Sequence, residues 1–183
     1  GLIVGALSAT GLTGSLATDL ILLAGGSVYA LLLMGAATSF ILGMGMTVTA
    51  AYVFLAIVLA PSLVNSGLDP MAVHLFILYW GMLSFITPPV ALGAFAAATI
   101  SGSDPMRAGF TAMRIGSIIY FIPFFFVMEP ALILRGELAD IVVVLASALV
   151  GVALVAGATQ SYLVGFGQLG DGAVGWLAKA LVF

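Results

Sequence analysis

Cysteine is absent from the 183 residues, which excludes a disulfide framework and any thiolate nucleophile or metal ligand. Charge is nearly as scarce: four Lys or Arg and seven Asp or Glu make up 6% of the chain, and none lies between Asp19 and Asp69. So few charges cannot cover a water-soluble surface. One histidine and two glutamates leave little for acid–base catalysis or metal ligation. There is no zinc-type histidine motif and no pair of carboxylates on adjacent apolar segments, so the chain is expected not to be an enzyme and to need no organic cofactor. The net charge of −3 is thinly spread and excludes a nucleic-acid footprint. Strict polar–apolar alternation is missing too, which excludes an outer-membrane barrel.

What is present is apolar: 63% hydrophobic residues and a mean hydropathy of +1.34. The expected fold class is an all-α integral membrane protein, with the lipid bilayer as its solvent. The chain opens inside an apolar run without an initiator Met, and is expected to be the C-terminal part of something longer.

Five segments follow from the pattern. Residues 1–26 read as the end of a transmembrane helix and an interfacial arm, because Leu12, Leu16, Leu20 and Leu23 fall three or four apart. Residues 27–64 form two apolar limbs around "GMGMT", each of about 15 residues, or roughly 23 Å, which is short of a hydrocarbon core of roughly 30 Å. They suit a re-entrant hairpin or two short spans; the tip lacks Lys, Arg or Trp anchors, which favours the hairpin. Asp69-Pro70 starts a helix over 70–100 that Thr87-Pro88-Pro89 must open, since two prolines remove two backbone donors. Asp104-Pro105 repeats that start, and one transmembrane helix is expected over 106–128. Residues 137–183 hold a long span, 141–163, and a short C-terminal piece, 172–183. Arg107 and Arg114 place the loop 101–107 in the cytoplasm by the positive-inside rule, or anchor lipid headgroups.

Unwound backbone at membrane depth is tolerated only where protein covers it or water reaches it, because each unpaired peptide group costs several kcal/mol, so two breaks are a signal. Discontinuous helices in secondary transporters use freed carbonyls and hydroxyls to hold a coupling cation. Gly43 and Gly45 would bring backbone oxygens to such an ion, and Thr47, Thr49, Ser84 and Thr87 would add side-chain oxygens, a set suited to a hard cation. The same glycines equally suit close helix packing, and the hydroxyls could bond back to their own helices. Met44 and Met46 read as packing, and Asp69 and Asp104 as caps. His74 reads as a helical polar group, with a proton-carrying role as the alternative.

"LGMGMTVTAAY", "GLDPMAVHLFILYWGMLSFITPPVALGAFAAA" and "SGSDPMRAGFTAMRIGS" together resemble the second inverted repeat of the large membrane subunit of TRAP (tripartite ATP-independent periplasmic) transporters. "TPPVAL", "AVHLF" and "DPMRAGF" are most similar to fused permeases of the TAXI type. The similarity covers residues 1–134 and weakens in the tail. It implies the C-terminal half of an elevator-type permease in a bacterial or archaeal cytoplasmic membrane. On that resemblance, 27–64 is the re-entrant hairpin and 70–100 the broken transmembrane helix of the transport domain. The implied cation site lies between tip and break (Gly43, Gly45, Thr47, Thr49, Ser84, Thr87), and Thr49, Thr87 and Pro88 would contact substrate. The implied partners are a periplasmic substrate-binding protein and a small membrane subunit or fused N-terminal domain. The implied activity is sodium-coupled uptake of a small organic anion, a carboxylate. Relatives commonly carry Pro-Thr where this chain has Thr47-Val48, and a small polar residue or Asn where it has Phe85. Proton coupling through His74 or Glu129, and a non-transporting scaffold, are the competing readings.

Overall fold

The structure is a computed structural model that describes residues 9–10, 19, 22–45, 47–160, 162–163 and 167–168. Most of the expected arm over 1–26 and the piece over 172–183 lie outside the described residues. Described residues are helical apart from connecting turns and one antiparallel pair of two-residue strands, β1 (Tyr162–Leu163) and β2 (Gly167–Gln168), in the register Tyr162↔Gln168.

The chain divides into two compact units: Gly1–Phe85 with Pro123–Pro130, and Ile86–Ile122 with Ala131–Phe183. In the first unit, Gly25 and Gly26 adopt positive φ, 60° and 75°, and turn the chain into α1 (Val28–Gly45). That helix narrows the expected break to its C-terminal end: it runs through Gly43 and Met44 to Gly45, and the next helix is capped by Thr47. Staying helical keeps their N–H groups hydrogen-bonded, while their carbonyls, in the last turn, have no N–H within the helix to accept from; the glycines cost only about 1 kcal/mol each relative to alanine. Thr47, extended at φ −66° and ψ 150°, caps α2 (Val48–Val58), its hydroxyl accepting from Ala50 N at 3.4 Å. The returning limb bends at Leu59 before α3 (Ala60–Asn65), because Pro61 has no N–H to give the Ile57 carbonyl.

Helix α4 (Pro70–Met82) starts as expected: Asp69 Oδ1 accepts from Met71 N at 2.8 Å and Ala72 N at 3.1 Å. It tightens into a 3-10 turn over Leu83–Phe85, so the interruption begins ahead of the prolines. Helices α1, α2 and α3 all pack on α4. Leu31, Leu32, Leu55, Leu59, Leu63, Val73, Phe76 and Ile77 form the buried core. Helix α7 (Ile122–Met128) closes this core through rings. Phe124 meets Phe76 at 5.3 Å and Trp80 at 5.7 Å, both edge to face, a geometry worth roughly 0.5–1.5 kcal/mol per pair.

In the second unit the prolines sit in a turn with a cis Pro88–Pro89 bond, and Ala91 N–H donates to the Thr87 carbonyl at 3.0 Å. Helix α5 (Leu92–Ser101) follows, closed by Gly102 at φ 69°. Helix α6 (Pro105–Ile115) starts on Asp104, whose Oδ1 accepts from Arg107 N at 2.8 Å. The single helix expected over 106–128 is corrected to three pieces: α6, a 3-10 turn over Ser117–Tyr120, and α7. Gly116 weakens the helix at the first joint, and Pro123 withholds the donor that the Ile119 carbonyl needs at the second. Helix α8 (Leu138–Gln160) packs on α6 and the 117–120 turn. Its 23 residues make it the one helix among the described residues long and apolar enough to cross a membrane.

Candidate cation site

Gly43 marks a close approach of α1 to α4. A Cβ built on Gly43 would lie 2.4 Å from the Gly81 carbonyl oxygen and 3.1 Å from Gly81 Cα, so only glycine fits. The same stripe of α1 carries Gly35, against Leu59 and Phe76, and Ser39, fully buried between the two glycines in sequence. Small residues four apart let two backbones approach, as in membrane helix pairs. The Gly81 carbonyl also accepts from Ser84 Oγ at 3.1 Å, and Ser84 is only 3% exposed. The first unit thus brings Gly43 and Ser84 to one carbonyl, that of Gly81. Sequence reasoning missed Gly81; a lone glycine inside "FILYWGML" was the available signal.

Thr47 and Thr49 are exposed, Thr47 with its hydroxyl engaged as the α2 cap and Thr49 in the first turn of that helix. Gly45 is the last residue of α1. His74 Nδ1 and Tyr52 Oη lie 3.1 Å apart, joining α4 to α2, while Glu129 is exposed after α7.

In the second unit Thr87 is 6% exposed, and its Oγ1 lies 2.5 Å from Tyr120 Oη. Tyr120 is a residue that sequence reasoning missed; 33 positions separate the two, and no local pattern links them. Pro88 Cγ stands 2.7 Å from where a Cβ on Gly109 would fall, so α6 packs on the proline turn through a glycine. The turn is therefore held from both ends of the α6 region, by packing at Gly109 and by a hydroxyl pair at Tyr120.

Interrupted apolar helices whose breaks carry hydroxyls and carbonyls define the class: a helical membrane protein. The model of the family "Tripartite ATP-independent periplasmic transporter, DctM component" matches residues 1–141, and the chain belongs to that family of membrane transporters. No curated protein and no solved structure matches the chain.

Proposed function

We propose that the chain is the second inverted repeat of a TAXI-type fused TRAP permease, an elevator-type carrier spanning a bacterial or archaeal cytoplasmic membrane several times. It takes up a small carboxylate, delivered by a periplasmic binding protein, together with sodium, and works with a small membrane subunit or fused N-terminal domain. The observation that carries this reading is the family match, which runs through both helix interruptions.

The proposed ligands are oxygens at those interruptions: Gly43, Gly45, Thr47, Thr49 and Ser84 in the first unit, and Thr87 in the second, with Thr49, Thr87 and Pro88 toward the carboxylate. A hydroxyl that coordinates a cation turns its lone pairs to the ion and its proton away. Tyr120 Oη supports that role for Thr87, because it offers the proton an acceptor.

The test is uptake against sodium concentration at fixed pH by the reconstituted transporter, comparing wild type with Thr49→Val and Thr87→Val. Valine removes one oxygen at nearly constant shape, so losing one ligand among several should lower apparent sodium affinity by roughly tenfold to a hundredfold, the equivalent of about 1–3 kcal/mol. Unchanged sodium dependence in both variants would refute the ligand set. Uptake that follows a pH gradient and ignores sodium would transfer the role to His74, which Tyr52 already holds by its Nδ1.

A further inference from the structure

Helix α6 has two unlike faces. Its inner face is Gly109 and Ala112, continued by the C-cap Gly116; a Cβ on Gly109 would strike Pro88 and one on Gly116 would come to 3.0 Å from Ile86 Cδ1. That close seating fixes the rotation of the helix. The opposite stripe is Arg107, Phe110, Thr111 and Arg114, spaced i, i+3, i+4, i+7, and it lines an open concavity of about 540 Å³. Half of the chain's four basic residues stand there.

Neither guanidinium has an acidic partner among the described residues. The Asp104 carboxylate is taken up by the Arg107 backbone N–H, and Thr111 Oγ1 donates to the Arg107 carbonyl. Phe110, 60% exposed, lies between the two cations in sequence, and Met106 and Ile115 at the helix ends are exposed as well. A face turned only to acyl chains would not present two guanidinium groups, and the exposed apolar side chains between and beside them add the apolar half of an interfacial surface. The headgroup boundary of a bilayer accommodates both.

We propose that this stripe binds an anionic phospholipid, with Arg107 and Arg114 on its phosphate oxygens and the Phe110 ring against its glycerol and upper acyl carbons. The guanidinium fork matches phosphate geometry, and the two arginines stand roughly 10 Å apart along the axis, a span a single headgroup and its neighbouring ester region can bridge. The inference is independent of the cation ligands, none of which lies on this face.

The test uses the purified transporter in detergent, with retained lipid read by native mass spectrometry and thermal unfolding followed on addition of phosphatidylglycerol, phosphatidylcholine or inorganic phosphate. Phosphatidylglycerol should be retained and should raise the unfolding midpoint, while the other two should do neither. Arg107→Gln and Arg114→Gln should each weaken phosphatidylglycerol binding roughly fivefold, the effect expected for one basic residue at an anionic membrane surface, and Arg→Lys at either position should retain most of it. Equal retention of phosphatidylcholine by wild type would overturn the proposal without recourse to any variant. So would full phosphatidylglycerol binding by the glutamine variants, or the same midpoint shift with inorganic phosphate, which would make the stripe a site for free anions.

Discussion

Gly43 and Gly81 meet backbone to backbone, with the Gly81 carbonyl oxygen 2.4 Å from where any Cβ on Gly43 would stand, whereas a Cβ on Gly81 would meet nothing within 4 Å. The contact is thus one-sided. Gly43→Ala should destabilise the protein by about 1–3 kcal/mol, the usual cost of overpacking, and Gly81→Ala by less than about 1 kcal/mol. Unfolding midpoints of the two variants in the same detergent check this, and equal shifts would contradict the close approach.

The Thr87–Tyr120 pair predicts coupling between two positions far apart in the chain. Thr87→Val and Tyr120→Phe should each cost about 0.5–1.5 kcal/mol, and the double variant should cost less than the sum of the two. A double-mutant cycle on thermal stability measures the difference. Strict additivity would mean that the two hydroxyls do not share a hydrogen bond.

Both Asp-Pro starts act through their carboxylates. Asp69→Ala and Asp104→Ala should each lose about 1 kcal/mol, while Asn at either position should restore most of it, because an amide oxygen also accepts from the first-turn N–H groups. Asp69 receives two such donors and Asp104 one, so the loss at Asp69 should be the larger. Chemical denaturation of the two alanine variants ranks them.

Arg107 and Arg114 also predict sidedness. Ser103 is exposed just ahead of them, so a Ser103→Cys protein, the only thiol in this chain, should resist an impermeant maleimide in intact cells and react once the membrane is opened. Labelling in intact cells would place this loop outside.

Features that act within one helical turn were legible in the sequence. Asp69-Pro70 and Asp104-Pro105 cap the helices they were expected to cap, because a carboxylate and the N–H groups it accepts from lie two or three residues apart. The helical membrane class was equally legible, since composition alone decides it. What escaped depends on partners distant in the chain. "GMG" marks either an opening or a close approach, and only the position of Gly81 decides that Gly43 is an approach. Thr87 looked like a free oxygen until Tyr120 was found beside it. The run after Asp104 looked continuous because its apolar residues are, yet Gly116 and Pro123 divide it into three.

Helix α8 is buried only at Gly157 and Ala158, close to its C-terminal end, while Leu138, Val142, Val143, Leu149, Val150 and Leu154 are open along its length. A rod of 23 residues is roughly 34 Å long, and a half-buried stripe through Ile141, Val144, Leu145, Ala148, Val152 and Val155 follows it, so one side is partly covered from end to end while the other is open. Where the surrounding membrane is thinner than the rod, tilting is an inexpensive adjustment, at a fraction of a kcal/mol per Å of mismatch, but the partly covered side ties the tilt to the elements packed on it. A change in membrane thickness would therefore be passed from this helix to α6 and the 117–120 turn, on which it packs.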